Sequence, residues 1–159
     1  MMSTSKIILR REQVELIEEL ANVHERIGIP PAMSKILGLL VISDETELTF
    51  DQIKDTLELS KSAVSQALNQ LLMSKKLSYK TKIGDRKRYF HLRVADWDVH
   101  ILEQFEGVSL LIGVFKKVIA SRSSETVEFN QNLEKMTDFL SLVHSQVISL
   151  HQKFGKGKN

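Results

Sequence analysis

Between Arg10 and Ile27 the apolar residues Leu16, Leu20, Val23 and Ile27 recur at three- and four-residue steps, with Glu12, Glu15, Glu18, Glu19 and Glu25 mostly on other faces. That spacing predicts an amphipathic helix. Gly28 suits its C-terminus, and Pro31 suits the first turn of a second helix reaching about Ile42. The second helix carries Met33, Ile36, Leu37, Leu39 and Leu40, dense enough to predict burial. Thr49 and Gln52 form a capping box, so a short helix is expected from Phe50 to about Leu57. After a tight turn at Glu58 and Leu59, Ser60 caps a helix from Lys61 to about Ser74, with Ala63, Val64, Ala67, Leu68, Leu71 and Leu72 facing inward. Two short helices so closely joined predict a helix-turn-helix.

Beyond Leu77 the pattern turns strand-like. Ser78 to Ile83 and Arg88 to Arg93, joined by residues 84–87, predict a β-hairpin with a basic tip. A long helix is expected from Trp97 to Ala120, with Ile101, Phe105, Val108, Ile112, Phe115 and Ile119 in one stripe and Leu102, Leu110 and Leu111 widening it. Ser121 to Ser124 break it. In the last helix Phe129, Leu133, Met136, Leu140, Val143, Val147, Leu150 and Phe154 alternate steps of four and three, the repeat of a coiled-coil seam, and those up to Leu150 are the expected dimerisation residues. Residues 153–159 form a basic tail expected to fray. The fold class is therefore mainly α with a small β-hairpin wing: a winged helix-turn-helix plus long dimerisation helices. The expected division is an N-terminal helix over 1–27, a DNA-binding domain over 28–94 and a helical dimerisation region over 95–159.

The chain has 159 residues, 42% hydrophobic and 26% charged, within the range of a globular protein. It has no stretch of the roughly 20 apolar residues a membrane span needs and no signal-peptide core, so a cytoplasmic location and no membrane partner are expected. With no cysteine, disulfides and thiol chemistry are excluded. The net charge of +2 conceals a strong partition. Residues 1–59 hold six Lys/Arg against eleven Asp/Glu, 60–93 hold nine against one, and 94–159 hold seven against eight, giving −5, +8 and −1.

The charge partition points to an anionic partner, and the helix from Lys61 says which. Its second stripe, Ser62, Ser65, Gln66 and Asn69, consists wholly of neutral hydrogen-bonding side chains, which can meet base edges in a major groove without burying an unpaired charge. Solvated helix faces usually carry Glu and Lys instead. Ser60, Lys61, Lys75 and Lys76 around that helix, with Lys80, Lys82, Arg86, Lys87 and Arg88 on the hairpin, are the expected phosphate or groove contacts. Arg86 and Lys87 at the tip could enter a minor groove. Asp85, the one acid of the segment, is expected to orient Arg86.

The order of elements, with the runs GIPP at 28–31, SKSAVS at 60–65 and GDRKRY at 84–89, resembles the GbsR-type branch of the MarR regulators. The motifs cover about residues 10–93, and the remainder matches in architecture. The resemblance implies a homodimeric transcriptional regulator on double-stranded DNA, with 61–74 as recognition helix and Asp85 and Arg86 on its wing. It also implies a small-molecule effector such as choline. Recognising a quaternary ammonium requires an aromatic cage, for which Tyr79, Trp97, Phe105, Phe115, Phe129 and Phe139 are the available rings, at spacings that also suit packing.

Other chemistries find less support. There is no Gly-rich phosphate loop and no HExxH, so neither catalysis nor a cofactor is expected. Asp96, His100 and Glu103, at i, i+4 and i+7, could share a face and hold a metal, but such residues are common at a solvated helix start for capping and dipole reasons, and no metal is expected. The alternative to a DNA-binding regulator is a helical protein-interaction adaptor whose basic hairpin takes an acidic protein.

Overall fold

The computed structural model describes residues 5–156. They form α1 (Arg11–Arg26), α2 (Pro31–Ile42), β1 (Leu48–Thr49), α3 (Phe50–Leu57), α4 (Lys61–Met73), β2 (Leu77–Thr81), β3 (Arg88–Leu92), α5 (Trp97–Ser121) and α6 (Val127–Lys156). Two compact units divide after Ala95.

The first unit is organised by α2. Met33, Ile36, Leu37, Leu39 and Leu40 are all buried, and they share one core with Ile17 of α1, Ile53 of α3, Val64, Ala67, Leu68 and Leu71 of α4, and Leu48, Leu77 and Phe90 of the sheet. The stripe expected to anchor α1 is not the one that does so. Gln13, Ile17 and Ala21 face the core, while Leu16, Val23 and Ile27 are exposed. Backbone proximity explains the choice: a Cβ on Gly38 of α2 would lie 3.2 Å from the Ile17 carbonyl oxygen, so the helices meet where one side chain is missing. Gln13 is buried yet satisfied, its Nε2 donating to the Ile42 carbonyl and its Oε1 accepting from the Arg10 amide.

Local chemistry sets the helix ends. Gly28, at φ 89°, closes α1 in a Schellman turn, with Ile29 N–H donating to the His24 carbonyl and Gly28 N–H to that of Glu25. The Thr49–Gln52 capping box forms, Gln52 N–H donating to Thr49 Oγ1 and Thr49 N–H to Gln52 Oε1. At Glu58 the chain turns with φ 52°, and Ser60 Oγ accepts from the Ala63 amide to start α4.

The sheet has three antiparallel strands rather than the expected two, in the order β1-β3-β2. Leu48 and Thr49 pair with Phe90 and Tyr89, an element too short to give a periodic signal. The hairpin runs in register from Leu77 opposite Leu92 to Thr81 opposite Arg88, leaving Lys82 and Ile83 in the turn.

In the second unit α5 and α6 form an antiparallel pair. The least exposed row of α6 is Asn130, Leu133, Thr137, Leu140, His144, Val147 and His151, also a three-four repeat. The expected seam is thus divided: Leu133, Leu140 and Val147 belong to this row and Val143 is half-buried, whereas Phe129, Met136, Leu150 and Phe154 are exposed in the single chain. On α5, Leu110 and Leu111 are exposed as well. The helix continues through Lys156 where a frayed tail was expected, and the rest of that tail, 157–159, lies outside the described residues, as do residues 1–4 of the expected N-terminal segment. No helix among the described residues is long and apolar enough to cross a membrane.

Because Leu39 is fully buried at the centre of the first unit's core, Leu39→Ala should cost about 2–5 kcal/mol through lost transfer energy and the cavity left behind. Urea denaturation followed by circular dichroism checks this, and an unchanged midpoint would mean that the core does not close around α2.

Candidate nucleic-acid interface

Helix α4 sorts its residues cleanly. Val64, Ala67, Leu68 and Leu71 point into the core, which fixes the helix and turns Ser62, Ser65, Gln66 and Asn69 outward, all four exposed. Gln70, four residues beyond Gln66, is exposed beside them and extends the uncharged polar surface; the sequence reading left it out although it continues the same composition. Ser60 is engaged in capping, and its Oγ also lies 3.2 Å from Ser62 Oγ. Lys61 and Lys75 are exposed and Lys76 half-buried at the two ends of the helix. Lys75 takes φ 57°, the position usually given to Gly after a helix, and Lys76 N–H donates back to the Leu71 carbonyl.

The hairpin tip is ordered by Asp85, but not as expected. Its carboxylate accepts from Tyr89 Oη at 2.6 Å and from the Lys87 amide at 2.9 Å, and no bond to Arg86 forms. The local reason is an Asx turn: an aspartate two residues before an N–H folds back onto it more readily than onto its neighbour's side chain. Gly84, at φ 83°, supplies the left-handed residue of the turn. Arg86 is consequently left exposed with no hydrogen-bond or ion-pair partner among the described residues. Lys87 is exposed beside it, and the Arg88 guanidinium stacks 4.5 Å from the centre of the Tyr79 ring.

Lys80 and Lys82 differ from the tip cations. Both are paired with Glu47, one on each carboxylate oxygen, and Lys82 Nζ also sits 3.8 Å from the centre of the Tyr89 ring. Glu47 precedes β1 in the acidic third of the sequence, and no local pattern could have linked it to residues more than thirty positions away. The hydrogen bond from Lys80, then that from Lys82, holds the Glu47 carboxyl below its ordinary range. The expected row of cations is thus divided into a free tip and a neutralised flank.

In the second unit His100 lies between two carboxylates, Nδ1 3.4 Å from Glu103 and Nε2 3.9 Å from Asp96. Asp96 occupies the N-cap position of α5 without a side-chain capping bond. Among the described residues no group of three His, Cys, Asp or Glu side chains is placed to hold a metal ion. Of the candidate rings, Tyr79 packs on Phe90, Trp97 meets Phe154 edge-on, and Phe129 lies under Arg122. A cavity of about 600 Å³ is lined by Trp97, Ile101, Leu102, Val147, Leu150 and Phe154, with Asp98 and His151 paired at 3.4 Å among its walls.

The Tyr89 hydroxyl, and after it the Lys87 amide, lower the Asp85 carboxyl pKa. A lowered acid stabilises the folded tip above the ordinary aspartate range, and that contribution is lost as pH falls through the lowered midpoint. In an NMR carboxyl titration Asp85 should therefore titrate below about 3.9, and Tyr89→Phe should move it upward. A midpoint indifferent to Tyr89→Phe would mean that the hydroxyl does not order the tip.

No protein-family model matches the sequence, and comparison with curated proteins gives no match. Among solved structures, the crystal structure of a transcriptional regulator superposes with a TM-score of 0.76 at 17% identity, covering 91% of this chain and 99% of that one. Staphylococcus aureus MepR in complex with DNA (21% identity, 81% of this chain and 92% of that one, TM-score 0.42) and Streptococcus pneumoniae FabT in complex with DNA (20%, 83% and 91%, 0.36) superpose too loosely to extend the comparison. At these identities the first likeness is one of fold, and the fold is a winged helix: mainly helical, with a small three-stranded antiparallel sheet.

Proposed function

We propose that the chain is a sequence-specific, double-stranded-DNA-binding transcriptional regulator that acts as a homodimer in the cytoplasm, of the GbsR-type MarR kind that its motifs resemble. The observation that carries this reading is the pairing, in one compact unit, of the exposed uncharged stripe Ser62, Ser65, Gln66 and Asn69 with the exposed cations Arg86 and Lys87 at the hairpin tip. The stripe can read base edges, which display donors and acceptors but no charge to pair. The tip supplies phosphate or minor-groove contacts that hold register and carry no sequence information. A fold shared with a transcriptional regulator agrees with this assignment.

In this reading residues 28–94 are the DNA-binding domain and 95–159 the dimerisation region. The exposed Phe129, Met136 and Leu150 of α6, with Leu110 and Leu111 of α5, supply the surface for a second copy. So much apolar area on one helical pair is unusual for a surface that meets only water. A two-fold dimer presents two α4 helices to two half-sites of a pseudo-palindromic operator. A small-molecule effector would act by binding one spacing of the two α4 helices better than another, and the cavity beside Trp97 is a volume able to take one.

The test is binding of the purified full chain to duplex DNA from upstream of its own gene and to random duplex, across a salt series. Selective binding that weakens steeply with salt is expected; binding to neither at low salt would overturn the proposal in favour of a protein-interaction adaptor. Arg86→Ala should weaken binding to every duplex and reduce the log–log salt slope by about 0.9. Asn69→Ala should instead cost about 1–3 kcal/mol of discrimination at one base pair, and equal losses on both duplexes would remove Asn69 from base reading. By sedimentation equilibrium the wild type should be a dimer and Phe129→Glu with Leu150→Glu a monomer; a double variant that keeps the dimer mass would move the interface elsewhere.

A further inference from the structure

Lys80 and Lys82 lie on the same hairpin as the tip cations, and Lys82 accepts the Asp85 amide on its carbonyl, so the two lysines begin within a few residues of Arg86. Yet their charge is already spent. Glu47 divides its two oxygens between them, Oε2 to Lys80 and Oε1 to Lys82, both at 2.5 Å. Its side chain is only 20% exposed while the lysines are 58% and 48% exposed, so the acid is the fixed partner and the ammonium groups are what solvent reaches. Register brings part of this cluster together. Thr49 pairs with Tyr89 and Lys80 pairs with Tyr89, so these three share one face of the sheet. Glu47 immediately precedes β1 and Lys82 immediately follows β2, so both lie just outside the strands, and it is the reach of the side chains that closes the contacts with Glu47. Because β3 lies between β1 and β2, the contact spans the sheet from edge to edge over the Tyr89 ring.

We propose that Glu47 acts as an internal counter-ion that withholds Lys80 and Lys82 from phosphate and so limits how many phosphates the wing neutralises. This rests on the DNA-binding reading above. Each lysine that meets a phosphate releases a condensed counter-ion and tightens binding to any sequence equally, so free lysines on the flank would strengthen attachment everywhere along a duplex. A carboxylate held against them keeps the wing's phosphate contacts at the tip, where Arg86 and Lys87 are exposed and, among the described residues, neither is held in an ion pair. A phosphate would have to displace a mostly covered acid that adjoins β1 and already contacts both lysines. Glu47 is therefore a residue that sets affinity without touching the nucleic acid.

The experiment compares the full-length wild type, Glu47→Gln, and the triple variant Glu47→Gln with Lys80→Gln and Lys82→Gln, on random duplex across a salt series, after circular dichroism has confirmed that each is folded. Glu47→Gln should bind more tightly at low salt, with a log–log slope steeper by about 0.9 per released lysine, so that the loss between roughly 50 and 200 mM salt deepens by up to about tenfold. The triple variant should return to the wild-type slope. A wild-type slope in Glu47→Gln, or weaker binding as expected if the contact only braced the wing, overturns the inference. So does a triple variant that keeps the steeper slope, since the effect would then not pass through these lysines. Absence of binding by the wild type and both variants would overturn the DNA-binding reading itself, and this inference with it.

Discussion

A helix that is apolar around most of its circumference must be covered on most sides, and α2 imposes that requirement on the whole first unit. Burial of Ile36, Leu37, Leu39 and Leu40 draws in α1, α3, α4 and the sheet. At about 25 cal/mol per Å² of apolar surface removed from water, this is the dominant favourable term available to so small a unit. The orientation of α4 follows from it. Val64, Leu68 and Leu71 can be buried against α2 and the sheet only if the opposite stripe faces outward, so the exposure of Ser62, Gln66 and Asn69 is a by-product of core formation. The candidate reading surface is thereby carried on a rigid element, without a loop to order on binding.

What could be read from the sequence was whatever is local. The capping box at Thr49 and Gln52, the stop at Gly28 and the two faces of α4 are each specified within one or two turns, and the structure places them as the spacing implies. Long-range choices were not legible. On α1 two apolar rows compete, and the one carrying Ile17 and Ala21 is buried because a glycine on the neighbouring helix admits it. β1 is two residues long and exists only because β3 has an edge to offer. Asp85 shows that even a local expectation can fail when backbone geometry provides a nearer donor than the adjacent side chain.

Charge counting overstated the wing for the same reason. A surplus of eight over residues 60–93 is correct as arithmetic, but the field a partner meets depends on which acids fold back onto which bases. Glu47, counted with the acidic third, belongs spatially to the basic one. Exposed ion pairs are individually weak, so its importance lies less in stability than in occupancy, since a lysine already paired offers a phosphate less than a lysine facing water. The free tip and neutralised flank together make the hairpin a more selective cation than its composition suggests.

Helix α6 presents the opposite problem, in which the periodic signal was strong and underdetermined. A three-four repeat fixes that one stripe faces a partner, but not whether that partner is in the same chain. Here two such rows overlap. The inner one includes Asn130, Thr137, His144 and His151, polar residues that suit an intrachain pair with Thr137 Oγ1 donating to the Leu133 carbonyl. The outer one carries Phe129, Met136 and Leu150, larger and wholly apolar, and it is left uncovered. A helix that spends its more polar row on its own neighbour and keeps its aromatic and sulfur-bearing side chains outside is arranged as though the larger burial were reserved for association. Exposed hydrophobic surface of that extent is costly in an isolated chain. In the homodimer proposed above, this exposed row is the surface that a second copy would cover.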